Sequence, residues 1–104
     1  MATLLPNETK DELLAPLLSS GWALNPAGDA LTKTYRFPGF TQAFAFMTAG
    51  AIQSEKMDHH PDWRNVYNRV EVLLTTHSAK GLTELDLELA TIFDKLAASP
   101  KQKS

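Results

Sequence analysis

The run RNVYNRVEVLLTTH, from Arg64 to His77, decides what kind of fold this chain takes. Val70, Val72 and Leu74 alternate with Glu71, Leu73 and Thr75, the period of two that turns one face of a strand toward a core. Arg64 to Tyr67 reads as a partner strand. Asn68-Arg69 is the expected tight turn between them, because asparagine tolerates the positive φ that two-residue hairpin turns need. His77 falls at the strand end, on the side opposite the Val70-Val72-Leu74 row.

Upstream, Pro61 fixes its own φ and pushes His60 away from helical backbone, so a helix must stop just before it. That helix is expected from about Phe40 to Lys56. Phe40, Phe44, Met47 and Ala51 fall at helical spacing, with Phe46 and Ile52 broadening the stripe, and the Phe40-Phe44-Met47 stripe reads as core. Four residues further along the stripe stands Glu55, and four more reach His59. Pro38-Gly39 separates this helix from an earlier hairpin, Trp22 to Asn25 and Ala30 to Phe37, joined by the turn-forming Pro26-Ala-Gly-Asp29. Leu31, Tyr35 and Phe37 alternate with Thr32, Thr34 and Arg36, and Lys33 sits out of place on the apolar side. A first helix spans about Lys10 to Ser19, with Thr9 and Glu12 as a capping box, Leu13, Leu14, Leu17 and Leu18 as its apolar face, and Gly21 as its stop. Pro16 inside it predicts a short or bent helix.

Downstream, Gly81-Leu82-Thr83 opens a last helix with the stripe Leu82, Leu85, Leu89, Ile92 and Leu96. Residues 99–104 read as a polar, frayed tail. The order αββαββα predicts an α+β two-layer domain: a four-stranded antiparallel sheet with three helices packed on one face.

At 104 residues the chain forms one domain, and 43% hydrophobic residues supply a core without staples. It has no cysteine, which removes disulfides, thiolate nucleophiles and cysteine-based metal sites and fits a reducing, cytoplasmic location. No basic signal-peptide start and no apolar run near the ~20 residues of a membrane span is present. With a net charge of −2 and scattered Lys and Arg, direct nucleic-acid binding is not expected.

Chemistry concentrates in Glu55-Lys56-Met57-Asp58-His59-His60-Pro61-Asp62, closed by Trp63. Two imidazoles, whose ordinary pKa of about 6.5 suits proton transfer near neutrality, stand side by side at a helix end. They have three readings: surface loop histidines, metal ligands with His77 and one of Glu55, Asp58 or Asp86, or an acid/base pair tuned by Asp86 or Glu55. Adjacent histidines point apart and lack the i, i+4 spacing that aims two ligands at one ion, which argues against a metal. Asp86, three residues after Thr83, equally reads as a helix cap. Trp63 reads either as packing at a strand start or as a wall for a planar ligand.

The ordered set Glu55 to Trp63, Asn65-Val66-Tyr67-Asn68, Val70, Thr76-His77 and Gly81-Leu82-Thr83 to Asp86 resembles the pterin-4a-carbinolamine dehydratase family, known in animals also as the dimerization cofactor of hepatocyte nuclear factor. Gly21-Trp22, Phe40, Ala43-Phe44 and Phe46-Met47 extend the likeness over about Leu13 to Ala97. The resemblance implies the same αββαββα fold and a hydro-lyase acting on 4a-hydroxytetrahydropterins such as 4a-hydroxytetrahydrobiopterin, which aromatic amino acid hydroxylases release. Loss of water gives the quinonoid dihydropterin and recycles the pterin, with no cofactor and no metal. By that resemblance His59, His60, His77 and Asp86 are catalytic: His59 and His77 for acid/base work, His60 mainly to hold the pterin, Asp86 to orient a histidine. Glu55, Asp58, Pro61, Trp63, Thr75, Thr76 and Ser78 would line the substrate site. It further implies a homodimer through paired sheets or a homotetramer through helices, with an aromatic amino acid hydroxylase as a partner. The rival readings are a dimerization or coactivator-type binding module for a transcription factor or hydroxylase, and a role on a different pterin, such as support of molybdopterin enzymes.

Overall fold

The structure, a computed structural model, describes residues 2–98, so the expected tail at 99–104 lies outside the described residues. Its elements are α1 (Asn7–Ser19), β1 (Ala23–Leu24), β2 (Leu31–Arg36), α2 (Phe40–Met57), β3 (Asp62–Val66), β4 (Arg69–Leu74) and α3 (Glu84–Ala97), with a 3₁₀ turn at His77–Ala79. The four strands form one antiparallel sheet in the order β1-β2-β4-β3. The predicted α+β class and element order stand.

The central β2–β4 pair sets the layers. Its register places Leu31 opposite Leu74, Lys33 opposite Val72 and Tyr35 opposite Val70. Except for Lys33, this row is buried against the helices, in one cluster with Leu14, Leu17, Phe46, Leu89 and Phe93. The same register gathers Arg36, Arg64 and Arg69, all the arginines of the chain, on the uncovered face, where Arg64 and Arg69 share Glu71. Arg36 lies 28 residues before Arg64 in sequence, yet the sheet register sets it directly opposite Arg69.

Four local expectations are corrected. Helix α1 starts at Asn7 behind Pro6, and the Thr9 N–H donates to the Pro6 carbonyl (3.2 Å) rather than opening a capping box. It runs through Pro16 to Ser19, and of its leucines only Leu14 and Leu17 are buried. In the β3–β4 turn Tyr67, not Asn68, takes the left-handed conformation (φ 51°). Asn68 is held in place by bonds to Phe37, accepting from its N–H and donating from Nδ2 to its carbonyl.

The fourth correction concerns α2. Its buried face is Ala43, Phe46, Gly50 and Ser54, while Phe40 and Phe44 are 48% and 53% exposed and pack on each other at 5.6 Å. Close approach to α3 selects small residues. A Cβ at Gly50 would stand 2.8 Å from the buried Phe93 ring and 3.4 Å from Trp63.

Lys33 is tolerated on the inward row because a carboxylate waits for it. Its Nζ donates to Asp94 (2.8 Å) and to the Ser20 carbonyl (2.6 Å), 4.8 Å from the Tyr35 ring centre. Asp94 also accepts from Trp22 Nε1 (3.1 Å), Tyr35 Oη (2.5 Å) and Ser20 Oγ (2.7 Å). One carboxylate thereby ties α3 to the end of α1 and to β2. Burial by itself pushes the Asp94 carboxyl up, but hydrogen bonds from Lys33, Tyr35 and Ser20, with the Lys33 charge, outweigh it and hold the group below its usual range. Burial, with the Asp94 bond and charge, pushes the Tyr35 phenol up, so it stays a donor.

Two outcomes follow from these contacts. Gly50→Ala improves helix propensity by at most about 1 kcal/mol yet overpacks a site where such insertions cost about 1–3 kcal/mol, so the melting temperature should fall. A higher melting temperature would mean that α2 and α3 can separate freely. For Asp94, a depressed carboxyl gives stability that is full above the unfolded value near 3.9 and is lost as pH drops through the lower folded value. Asp94→Asn should therefore weaken the protein at pH 7 while flattening the loss of stability below about pH 4, measured by urea unfolding across pH.

Candidate active site

Helix α2 ends at Met57, where Asp58 turns into the left-handed region (φ 53°) and its N–H donates to the Glu55 carbonyl. This reversal aims the next two residues differently. The His59 N–H returns to the Ser54 carbonyl (3.0 Å) and its ring goes inward, leaving the residue 8% exposed. His60 stays outside, where Nε2 meets Glu55 Oε1 at 2.8 Å in an exposed pair. Glu55 and His59, four residues apart along the stripe, therefore do not share one helical side: the left-handed Asp58 breaks the four-residue progression, and Glu55 faces His60 instead.

His59 Nε2 lies 2.6 Å from Asp86 Oδ1, and Asp86 is wholly buried. Asp86 is a helix cap as well as a histidine partner. It completes the α3 capping box, Oδ2 accepting from the Thr83 N–H (3.0 Å) while Thr83 Oγ1 accepts from the Leu85 N–H (3.2 Å). Oδ2 also accepts from Thr76 Oγ1 (2.8 Å), which is 2.7 Å from Thr83 Oγ1. Proton accounting fixes the direction of this chain. An ionised carboxylate only accepts, so the Thr76 hydroxyl proton points to Asp86 and the Thr83 hydroxyl donates to Thr76. The remaining carboxylate oxygen then faces a donor at His59 Nε2. That leaves Nδ1 as the His59 nitrogen outside this network.

His77 lies one residue beyond Thr76, in the 3₁₀ turn, and is exposed. With Thr75, Leu73, Asn25, Asp29 and Lys80 it borders a cleft of about 380 Å³. Thr75 Oγ1 donates to the Asp29 carbonyl (2.6 Å) and pins this segment to the β1–β2 turn. His77 Nε2 is 3.6 Å from Asp62 Oδ2, a carboxylate that the sequence reading left without a role. A larger hollow of about 620 Å³ on the uncovered sheet face also reaches Asp62, next to Trp63 and Arg64.

The other expected residues divide by contact. Thr76 is buried in the Asp86 network, while Asp58 and Ser78 are exposed and Pro61 is half-buried. The Trp63 ring stacks on Phe93 at 5.7 Å with a 13° interplanar angle, so one face of the indole is committed to the core. Among the described residues no group of three or more His, Asp or Glu is arranged to hold a metal ion. Sequence reading missed Asp62 as a partner of His77. The signal available was its place in β3, whose register sets it opposite Leu73, on the face from which Thr75 and His77 follow.

Residues 3–96 match the family model described as pterin 4 alpha carbinolamine dehydratase. A protein of Dinoroseobacter shibae is 55% identical over 97 residues, covering 93% of this chain and all of the relative. One of Rhizobium johnstonii is 57% identical over 79 residues, covering 76% and 78% of the two chains. Both bear the name "Putative pterin-4-alpha-carbinolamine dehydratase". A crystal structure described as a transcriptional coactivator/pterin dehydratase from Brucella melitensis superposes with a TM-score of 0.84 at 41% identity, covering 90% of this chain and 98% of that one. A pterin dehydratase-like protein described as a RuBisCO assembly factor in the alpha-carboxysome reaches a TM-score of 0.67 at 28% identity, covering 76% and 92%.

The Asp86 network predicts a contrast between two carboxylates. Asp86→Asn replaces one acceptor oxygen by an amide that donates, so it opposes either the His59 ring nitrogen or the fixed Thr83 N–H, and leaving buried groups unsatisfied should cost about 1–3 kcal/mol in urea unfolding. Glu55→Gln, on the exposed pair, should stay within about 0.5 kcal/mol of the parent. Equal losses in the two variants would contradict the burial difference between them.

Proposed function

This chain belongs to the pterin 4 alpha carbinolamine dehydratase family, and we propose that it eliminates water from 4a-hydroxytetrahydropterins such as 4a-hydroxytetrahydrobiopterin by histidine acid/base catalysis. The observation that carries this reading is the His59–Asp86 pair: an imidazole held at Nε2 by a fully buried carboxylate, with a second and a third histidine on the adjoining segments. Such a pair presents Nδ1 in a fixed direction, which is what a general acid or base requires.

The reaction breaks the C4a–O bond. The leaving hydroxyl takes a proton and departs as water, N5 gives up its proton, and the ring becomes the quinonoid dihydropterin. One proton enters and one leaves, so two acid/base groups suffice, and His59 and His77 fill those roles. His60, paired at the surface with Glu55, holds the pterin. Asp86 fixes the His59 ring, and Asp58, Pro61, Trp63, Thr75, Thr76 and Ser78 lie on the same two segments as the histidines and line the substrate site. In this reading the protein recycles the pterin of aromatic amino acid hydroxylases as a cytoplasmic homo-oligomer. No helix among the described residues is long and apolar enough to cross a membrane.

A second reading, a protein-binding role, draws on the exposed Phe40, Phe44 and Ile52 of α2 and on the coactivator and assembly-factor descriptions of the two structural neighbours. Both roles fit in one chain, because the helix face and the histidine segments use different residues.

The test follows ultraviolet decay of a freshly generated 4a-carbinolamine with and without the protein. Acceleration at micromolar protein is expected. His59→Ala and His77→Ala should each lower it by about 10- to 1,000-fold, in keeping with positioned acid/base catalysis, while the melting curve of His77→Ala stays near the parent. Decay unchanged by the parent protein would leave the binding role as the function.

A further inference from the structure

Each of the three histidines faces one carboxylate: His59 faces Asp86 at 2.6 Å, His60 faces Glu55 at 2.8 Å and His77 faces Asp62 at 3.6 Å. Two of these carboxylates were expected in the site from sequence. Asp62 was not. We propose that Asp62 is the positioning residue for His77, turning an otherwise unrestrained imidazole toward the substrate. The proposal rests on His77 acting in the dehydration proposed above.

The fold delivers this pairing. Pro61 fixes the chain before β3, and the β3–β4 register then sets Asp62 opposite Leu73, both on the uncovered face of the sheet. Leaving β4 on that face, the chain passes Thr75, which is pinned to the Asp29 carbonyl, and reaches His77. The backbone of the His77 turn is fixed in its own right, with the Ala79 N–H on the Thr76 carbonyl (3.0 Å) and the Lys80 N–H on the His77 carbonyl (3.1 Å). The ring is not: its side chain is 78% exposed, and Asp62 is its one ion-pair partner among the described residues. The other charged groups around its cleft are Asp29 and Lys80. Asp29 Oδ1 is taken by Asn25 Nδ2 at 2.6 Å. Lys80 repels a protonated ring rather than anchoring it.

The separation of 3.6 Å is longer than a hydrogen bond, and this suits the role. Catalytic hydrogen bonds are often long before substrate binds and tighten in the complex. Contact also bears on the substrate side. Asp62 borders the 620 Å³ hollow and His77 the 380 Å³ cleft, and Leu73 lies on the wall of both. A planar ligand seated across Leu73 would exclude water from the Asp62–His77 pair, where the carboxylate then interacts with the imidazole at lower dielectric.

An exposed pair at this distance adds little to folding, so stability serves as the control and catalysis as the signal. Asp62→Ala should leave the melting temperature unchanged and lower kcat by about tenfold with KM within about twofold, and Asp62→Asn, which keeps an acceptor, should recover part of the loss. In a His77→Ala background the same substitution should change kcat/KM by less than about twofold, because a positioning residue has nothing left to position. A losing effect of equal size in both backgrounds would overturn the assignment. Independently of any substrate, Asp62→Ala should move the ring ¹⁵N resonances of His77 in the free protein and leave those of His59 in place. Unmoved His77 resonances would refute the pairing even if the enzyme is active. A parent chain without dehydratase activity, combined with moved resonances, would instead overturn the proposed reaction and leave the pairing intact.

Discussion

Burying a carboxylate completely is costly unless every acceptor site finds a donor, and Asp86 imposes that requirement on three separate stretches of this chain. The N-terminus of α3 answers with the Thr83 N–H, the β4–α3 connection with the Thr76 hydroxyl, and the end of α2 with the His59 ring. A mutual capping box alone would satisfy a surface aspartate at this position. Here the cap is wholly buried, so its second oxygen must be answered from elsewhere, and the residue that reaches it is the first histidine after α2. Helix capping and histidine orientation are consequently the same interaction. Neither can be altered without the other, and the end of α2 cannot drift relative to α3.

The inward face of α3 carries a second carboxylate two turns further on. Asp86 and Asp94 stand eight residues apart, with Ala90 halfway between them on the same line and Leu89 and Phe93 beside it. Asp94 gathers Ser20 and Trp22 after α1 and Lys33 and Tyr35 of β2, as Asp86 gathers Thr76, Thr83 and His59 at the start of α3. Between these polar anchors the apolar contact is tight enough to demand glycine at position 50. Directional bonds at both ends and close packing in the middle restrict how α3 can slide or rotate on the sheet. That restriction is what keeps the His59 ring in one place.

How much of this was legible in the sequence depends on the range of the interaction. The alternation in Leu31 to Phe37 and Val70 to Thr75 is local, and it gave the sheet, its buried face and the element order correctly. The phase of α2 was misread because apolar size is a poor guide where two helices nearly touch: Ala43, Gly50 and Ser54 are buried for being small, and the larger Phe40 and Phe44 are turned outward. Lys33 announced a missing partner by standing on an inward row, but Asp94 is 61 residues away and nothing local names it. The site shows the same division. Asp86 as a cap was readable from Thr83 three residues earlier, and as a histidine partner only as one candidate beside Glu55, which spacing could not separate. Asp62 was silent in both, because its relation to His77 exists only through the strand register.

Rigidity is distributed unevenly among the histidines, and the distribution matches the proposed chemistry. His59 is held by a buried, fully hydrogen-bonded carboxylate and has little freedom left to lose when substrate arrives. His60 and His77 sit at the surface beside exposed carboxylates, where ion pairs are weak in water and strengthen as water is excluded. One fixed imidazole can define where the pterin must lie. Two adjustable ones can close on it afterward, their pairs shortening only when the ligand covers them. A carbinolamine already loses water unaided, so the protein need not supply strong electrophilic stabilisation. The proposed reaction asks only that proton donors and acceptors meet the right atoms, and a fold in which one histidine is bound to the helix cap can supply that with very few residues.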